Sequence, residues 1–318
     1  MASISAGLRR AATCYPDRIA MIFQERQTTW RAFSAAVERL AQALLALGLR
    51  RGQILAVVAR NSDLMMQYMY AAAHLGAIFA PLNVRWSPQE LEHAVRDSGA
   101  SVIAFDSEFR PTIAALLLAL DHGKQDIRAV IQLCPEDAAY ADGCCVGEHR
   151  GASVVAGVVV HQHAVLVEEG GRGALYISSD GGAVADEEDG CGRGDDVCTL
   201  VFTSGSEGRP KAVMLSHTNQ VVQALEKVVQ VRYSASTRYL NAVPLFHVGG
   251  ISSAVAVTMA GGMHILASKF EPVAARLLIQ KHAISTLVVV PSMLAILCDR
   301  VGAVFPQVGL RSGEIPRD

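Results

Sequence analysis

Between Thr29 and Leu47 apolar side chains recur at Phe33, Val37, Leu40, Leu44 and Leu47, the spacing of one helical face, and Gly48 supplies the stop. A second helix is predicted from its ends. Ser87-Pro88-Gln89-Glu90 is a capping box with proline at the first helical position, and Gly99 closes the segment. Short apolar runs predict strands at Gln53 to Val58, Ser101 to Phe105, Ala129 to Leu133, Leu240 to Val243, His264 to Ala267 and Thr286 to Val290. Further helices are predicted at Asn219 to Val229 and Glu271 to His282. Strands alternating with helices give the fold class as α/β, with mostly parallel sheets covered by helices.

Composition narrows the setting. With 51% hydrophobic residues, 18% charged residues and a net charge of -2, the 318-residue chain can bury a large core and lacks the charge of a nucleic-acid binder. The longest uncharged stretch, Tyr239 to Ser268, is broken by Pro244, His247, Gly249, Gly250, Gly261, Gly262 and His264, which suits buried elements and a pocket better than a membrane span. No signal-peptide core stands near Met1, and the seven cysteines are scattered. The expected location is the cytoplasm or an organellar matrix, peroxisome or plastid included, and not the secretory route. Residues 135–197 differ, being rich in glycine, with Cys144, Cys145 and Cys191, the pair His161 and His163, and an acidic run Asp186 to Asp189. These spacings, with Cys198 just beyond, match no zinc pattern, so no metal site is expected and the segment reads as an irregular, variable connection.

The richest chemistry lies in Val201-Phe-Thr-Ser-Gly-Ser-Glu-Gly-Arg-Pro-Lys211, where an apolar strand breaks into a hydroxyl- and glycine-rich loop. Gly205 and Gly208 let backbone N–H groups turn toward an anion, Thr203, Ser204 and Ser206 add hydroxyl donors, and Lys211 adds a point charge. This is not the common P-loop, because Pro210 precedes the lysine and Ala212 to Leu215 reads as a second strand rather than a helix. On these residues alone a plain glycine-rich hairpin remains the alternative.

The segment resembles the phosphate-loop signature of the AMP-forming adenylate synthetases, T-S-G-[ST]-T-G-x-P-K-G, from which Glu207 and Ala212 depart. Glu207 puts a carboxylate beside the expected polyphosphate. Other stretches resemble the same family in order: Leu8 to Phe23, Asn61-Ser62-Asp63 through Ala80-Pro81-Leu82-Asn83 and Trp86, Pro244 to Gly250, and Val290 to Leu294. The resemblance implies a partial N-terminal large domain of the acyl-CoA synthetase fold. It divides the chain into a first α/β subdomain at 7–134, the variable connection at 135–197, a second subdomain with the phosphate loop at 198–309, and a diverged tail at 310–318.

The same resemblance implies an acid–thiol ligase of the fatty-acyl-CoA or 2-succinylbenzoate-CoA type, with ATP, Mg2+ and coenzyme A as co-substrates and a small fatty or aromatic carboxylic acid as partner. Thr203, Ser204, Gly205, Ser206, Gly208 and Lys211 would hold the ATP phosphates, and His247, Val248, Gly249 and Gly250 would wall the acyl pocket. The family's magnesium-binding glutamate, ribose-binding aspartate and catalytic lysine have no counterpart in the chain. Catalytic residues are therefore unassigned, and the expectation is a truncated product, inactive alone. The alternative is a remnant that binds nucleotide or a partner without turnover.

Overall fold

The computed structural model describes residues 2–121, 126–133, 152–155, 158–173, 192–204 and 209–299. In chain order the elements are α1 (Ile4–Cys14), β1 (Ile19–Phe23), β2 (Arg26–Thr29), α2 (Trp30–Ala46), β3 (Ile54–Val58), α3 (Asp63–His74), β4 (Ile78–Pro81), α4 (Pro88–Ser98) and β5 (Val102–Asp106). There follow α5 (Arg110–Asp121), β6 (Ala129–Leu133), β7 (Ala152–Val155), β8 (Val158–Gln162), α6 (His163–Gly173), β9 (Val197–Ser204), β10 (Pro210–Ser216) and α7 (His217–Gln230). The last are β11 (Arg238–Asn241), α8 (Val248–Ala260), β12 (Met263–Leu266), α9 (Pro272–His282), β13 (Thr286–Leu287) and α10 (Pro291–Asp299).

Two sheets result. The eight-stranded sheet runs β10-β9-β4-β3-β5-β6-β8-β7 and is parallel except at its two edge pairs, while the five-stranded sheet runs β13-β11-β12-β1-β2 and is parallel except for the β1–β2 hairpin. This is the α/β class expected, mostly parallel sheets covered by helices. Each sheet takes strands from both sides of residues 135–197, so the two packed bodies interleave along the chain and do not follow the contiguous stretches 7–134 and 198–309. The connection itself is not irregular throughout. Its strand β8, opened by the β-branched run Val158-Val159-Val160, extends the sheet by pairing Val160 to Gln162 with Val130 to Gln132 of β6, and α6 follows directly.

The layers follow from the pleat. In β3, Leu55 and Val57 face a central core shared by α1, α2, α3, α8 and both sheets, while Ala56 and Val58 face an outer core with α4 and α5. A smaller core under α9 and α10 covers the far side of the five-stranded sheet around Leu240 and Ile265. Helix ends sit where the side chains dictate. Thr29 caps α2, the Ser87–Glu90 box caps α4 with both reciprocal bonds, and Gly99 takes the left-handed conformation at φ +69°. Two differences from the sequence reading stand out. β13 stops at Leu287: among the described residues its pairing is with β11, through Thr286 and Leu287. The apolar wall after His247 is the helix α8, buried continuously from Gly250 to Thr258, and a helix buried all round carries no one-sided stripe to announce it.

Candidate functional site

The carboxyl ends of the two parallel sheets meet at Asn61. Its buried side-chain amide donates to the carbonyls of Asn241 (3.2 Å) and Val243 (2.9 Å), and its Oδ1 accepts from the Leu245 backbone N–H at 2.8 Å. One side chain leaving β3 thus holds the turn leaving β11. The next residue, Ser62, caps α3, and Asp63 forms a two-pronged ion pair with Arg26 at 3.0 and 2.7 Å. Behind the turn His264 joins three elements: Nδ1 lies 3.1 Å from Asn241 Nδ2 and Nε2 lies 3.0 Å from Thr258 Oγ1. Because an amide nitrogen can only donate, Nδ1 accepts and the ring is the neutral Nε2–H tautomer. Complete burial agrees, pushing this histidine down to about 3.

The turn delivers His247 to the start of α8. Helix α8 has no side-chain cap, and the exposed His247 ring tilts against Phe246 at 4.6 Å between centroids. Desolvation, and secondly the nearby Arg85 guanidinium, lower the His247 pKa, so the imidazole is neutral at neutral pH. Val248 is exposed beside it. Gly249 and Gly250 differ. A Cβ on Gly250 would come within 2.3 Å of the Pro244 carbonyl oxygen, so only glycine lets the helix lie on the turn, whereas a Cβ on Gly249 would meet only Val243 Cγ1 at 4.0 Å.

Arg85 leads to the β9–β10 hairpin. It follows β4 in a turn where its N–H donates to Asn83 Oδ1 (3.0 Å), and its neighbour Trp86 packs edge-on against Phe202 of β9 at 5.7 Å. The next residue is Thr203. β9 and β10 form an antiparallel hairpin in which Lys211 pairs with Thr203 and Pro210 with Ser204, and the Thr203 hydroxyl donates to the Lys211 carbonyl at 3.5 Å. Thr203 and Lys211 are both exposed at the hairpin mouth, as the strand–loop–strand reading requires. Gly205, Ser206, Glu207 and Gly208 lie outside the described residues, and Ser204 ends β9. Arg209 and Pro210 face α4, where they line a cavity of about 400 Å³ with Gln89, Glu90, Glu92, His93 and Arg96.

Among the described residues no three His, Cys, Asp or Glu side chains cluster in a way that could hold a metal ion. His163 is buried, its Nδ1 3.2 Å from the Tyr68 hydroxyl, while Cys144, Cys145 and Cys191 lie outside the described residues. The structure therefore brings the His247 turn and the Thr203–Lys211 hairpin to either side of the Asn83–Ser87 turn. Sequence reading singled out both flanks. It missed the bridging role of Arg85, the clamp made by Asn61, and His264, whose only signal was a histidine inside the apolar run Met263-His264-Ile265-Leu266.

Comparison with known proteins bears on all of this. The chain is 29% identical over 288 residues to the 2-succinylbenzoate–CoA ligase, chloroplastic/peroxisomal, of Arabidopsis thaliana, covering 91% of this chain and 46% of that protein. It is 29% identical over 289 residues to a feruloyl-CoA synthase of Amycolatopsis, covering 89% and 48%. A solved Mycobacterium tuberculosis fatty acyl CoA synthetase superposes with a TM-score of 0.71 at 24% identity, over 93% of this chain and 50% of that one, which speaks for the fold. The chain spans about half the length of the curated relatives it matches. The AMP-binding enzyme description matches residues 8–313, so kinship rests on the whole alternation of sheets and helices and not on the hairpin alone: this chain belongs to the AMP-binding enzyme family.

Proposed function

We infer that this chain carries the acid-binding and ATP phosphate-binding parts of an AMP-forming carboxylate–CoA ligase. The observation that supports this most is the convergence at the sheet edge of a neutral imidazole, His247, the Arg85 guanidinium and the uncapped amino end of α8. A carboxylate is the ligand these three favour, through a hydrogen bond, an opposite charge and a helix dipole. Val248 and the open side of Gly249 would take the start of the acyl group, with Gly250 holding the wall in place. Thr203 and Lys211, exposed side by side, suit phosphate oxygens, with Ser204, Gly205, Ser206 and Gly208 completing the loop.

In the proposed reaction a carboxylate oxygen attacks the α-phosphorus of ATP, releasing pyrophosphate and leaving an acyl-adenylate, and the coenzyme A thiol then displaces AMP. Such chemistry depends on positioning and charge neutralisation, which accounts for a site of donors without a protein nucleophile. Magnesium is assigned no ligands, since the described residues offer no acidic cluster for it, and no step is derived through it. The acid is proposed to be fatty or aromatic, in line with the apolar, small-residue face of α8 and with relatives named for 2-succinylbenzoate and feruloyl substrates.

A second reading, nucleotide binding without turnover, is favoured by Glu207, which brings negative charge into the phosphate loop. Calorimetric ATP titration of the purified chain, paired with acid-dependent ATP–pyrophosphate exchange across fatty acids, aryl acids and 2-succinylbenzoate, separates the two. Saturable ATP binding with exchange at background is the expected result and supports the second reading for this polypeptide. Robust exchange with any acid would establish the complete reaction, and no ATP binding would overturn both.

A further inference from the structure

The amino ends of three neighbouring parallel strands open a second cavity, at the end of the five-stranded sheet remote from the His247 turn. β12 runs between β1 and β11, and a space of about 410 Å³ is lined at β1 by Asp17, Arg18 and Ile19, at β12 by Met263, and at β11 by Ser236 and Arg238. Arg18 and Arg238 thus enter from strands on either side of β12, roughly 10 Å apart across two strand spacings. Two arginine side chains can close that span onto one anion.

The charge of this cavity is one-sided. Arg18 donates from Nη2 to the Ala235 carbonyl and lies over the Tyr15 ring at 5.4 Å, and Arg238 donates from Nη1 to the His282 carbonyl at 3.0 Å. Among the described residues neither arginine forms an ion pair, so each spends an N–H on a neutral carbonyl and keeps its remaining donors. Asp17 is the one carboxylate among the described lining residues, and it pairs with Arg31 at 3.1 Å.

The hydroxyl wall is held in shape. Ser234 N–H donates to Thr237 Oγ1 at 2.9 Å, Thr237 N–H donates back to the Ser234 carbonyl at 3.0 Å, and the Ser234 and Ser236 hydroxyls lie 2.8 Å apart. A Cβ on Gly262 would come within 3.1 Å of both the Ser234 carbonyl oxygen and Thr237, so this turn is seated on the start of β12 and keeps Ser236 at the cavity.

We propose that this cavity is a binding site for a phosphate group, gripped by Arg18 and Arg238 from two sides with the Ser236 hydroxyl as a third donor. Forked donors converging from different directions match a tetrahedral oxyanion better than a planar carboxylate. The space admits free phosphate or a small phosphomonoester. The site is independent of the ligase reading, since His247 and Lys211 lie at the carboxyl edge.

Inorganic phosphate, glycerol 3-phosphate and acetate, each titrated into the full chain at constant ionic strength and followed by backbone amide shifts, test the proposal. Saturable shifts at Arg18, Ser236, Thr237 and Arg238 are expected with at least one of the two phosphates, at a Kd of about 1 mM or tighter and at least about tenfold below that of acetate. The tighter of the two identifies the source as free phosphate or a phosphomonoester. Arg18→Met and Arg238→Met are each expected to weaken binding about tenfold, the loss of one charge-assisted contact. Shifts that do not saturate, shifts confined to Thr203 and Lys211, acetate bound as tightly as phosphate, or unchanged affinity in either variant overturns the proposal and leaves the ligase reading intact. Should a variant not fold, the Arg18 and Arg238 ¹⁵Nε resonances of the wild-type chain decide: they move with phosphate and not with acetate if the proposal holds, and stay in place or respond alike to both if it does not.

Discussion

The turn that carries His247 and the hairpin that carries Lys211 lie along the same sheet edge, yet they are built in opposite ways. The turn is fixed from behind by buried polar groups that are bonded at every side described: Asn61 to three backbone groups, His264 to Asn241 and Thr258, and Gly250 against the Pro244 carbonyl. The hairpin mouth offers exposed groups, Thr203 and Lys211, joined to each other chiefly by strand pairing. Substitution in the turn should therefore cost stability, and substitution at the mouth should cost ligand contact alone. On the proposed ligase reading, fixed geometry would suit a reacting acid at the turn, and solvent-facing donors would suit a charged polyphosphate at the mouth.

Acid should expose the difference most strongly. Burial pushes His264 down to about 3 and His163 and His217 down to about 4, against 6.5 in the unfolded chain. Between these values the unfolded chain binds more protons, so stability is present above pH 6.5 and is lost as pH falls toward 4. Asp106, pushed up to about 6 by burial, works the other way and offsets one histidine between roughly pH 4 and 6. The net slope should be roughly 2–3 kcal/mol per pH unit near pH 5, measurable by urea unfolding at several pH values. A flat profile between pH 6.5 and 4.5 would contradict the buried-histidine account.

Asn61→Ala should be the most damaging single change in the turn. It strips the Leu245 N–H and the Asn241 and Val243 carbonyls of their partner, at a cost of about 2–4 kcal/mol by chemical denaturation. The two adjacent glycines give a sharper contrast. Gly250→Ala should cost about 1–3 kcal/mol through its clash with backbone, whereas Gly249→Ala should be neutral or stabilise by up to about 1 kcal/mol by favouring helix. Equal effects would show that the turn does not press on α8. At the mouth, Lys211→Ala should change stability by less than about 0.5 kcal/mol while weakening ATP binding roughly tenfold in calorimetric titration.

Much of this was legible from the chain because local chemistry and tertiary structure agree there. β6 begins and ends where its apolar run does, the Ser87 box caps α4 as its letters require, and the Gly48 and Gly99 stops fall at positive φ. The hairpin was equally plain, since Pro210 stands before the lysine where a P-loop needs glycine and Ala212 to Leu215 spells a second strand. What escaped was set at a distance. Asn61 acts on residues about 180 positions away, and nothing local marks an asparagine as a clamp between two sheets. Helix α8 escaped because burial on all sides removes its period, and the interleaving of the sheets because pairing β1 with β12 is decided by packing rather than by neighbours in sequence. The glycine-rich flanks of residues 135–197 hid β8, whose own letters spell a strand.

The central claim is that hairpin and turn serve one site at the shared carboxyl edge, phosphate at the first and acid at the second. Backbone amide chemical-shift mapping of the full chain, titrated separately with ATP and with an organic acid, tests it directly. ATP should move Thr203 and Lys211, the acid should move His247, Val248 and Gly249, and both should move Arg85 and Trp86 between them. Shifts from both ligands confined to some other surface, or none at either element, would contradict it.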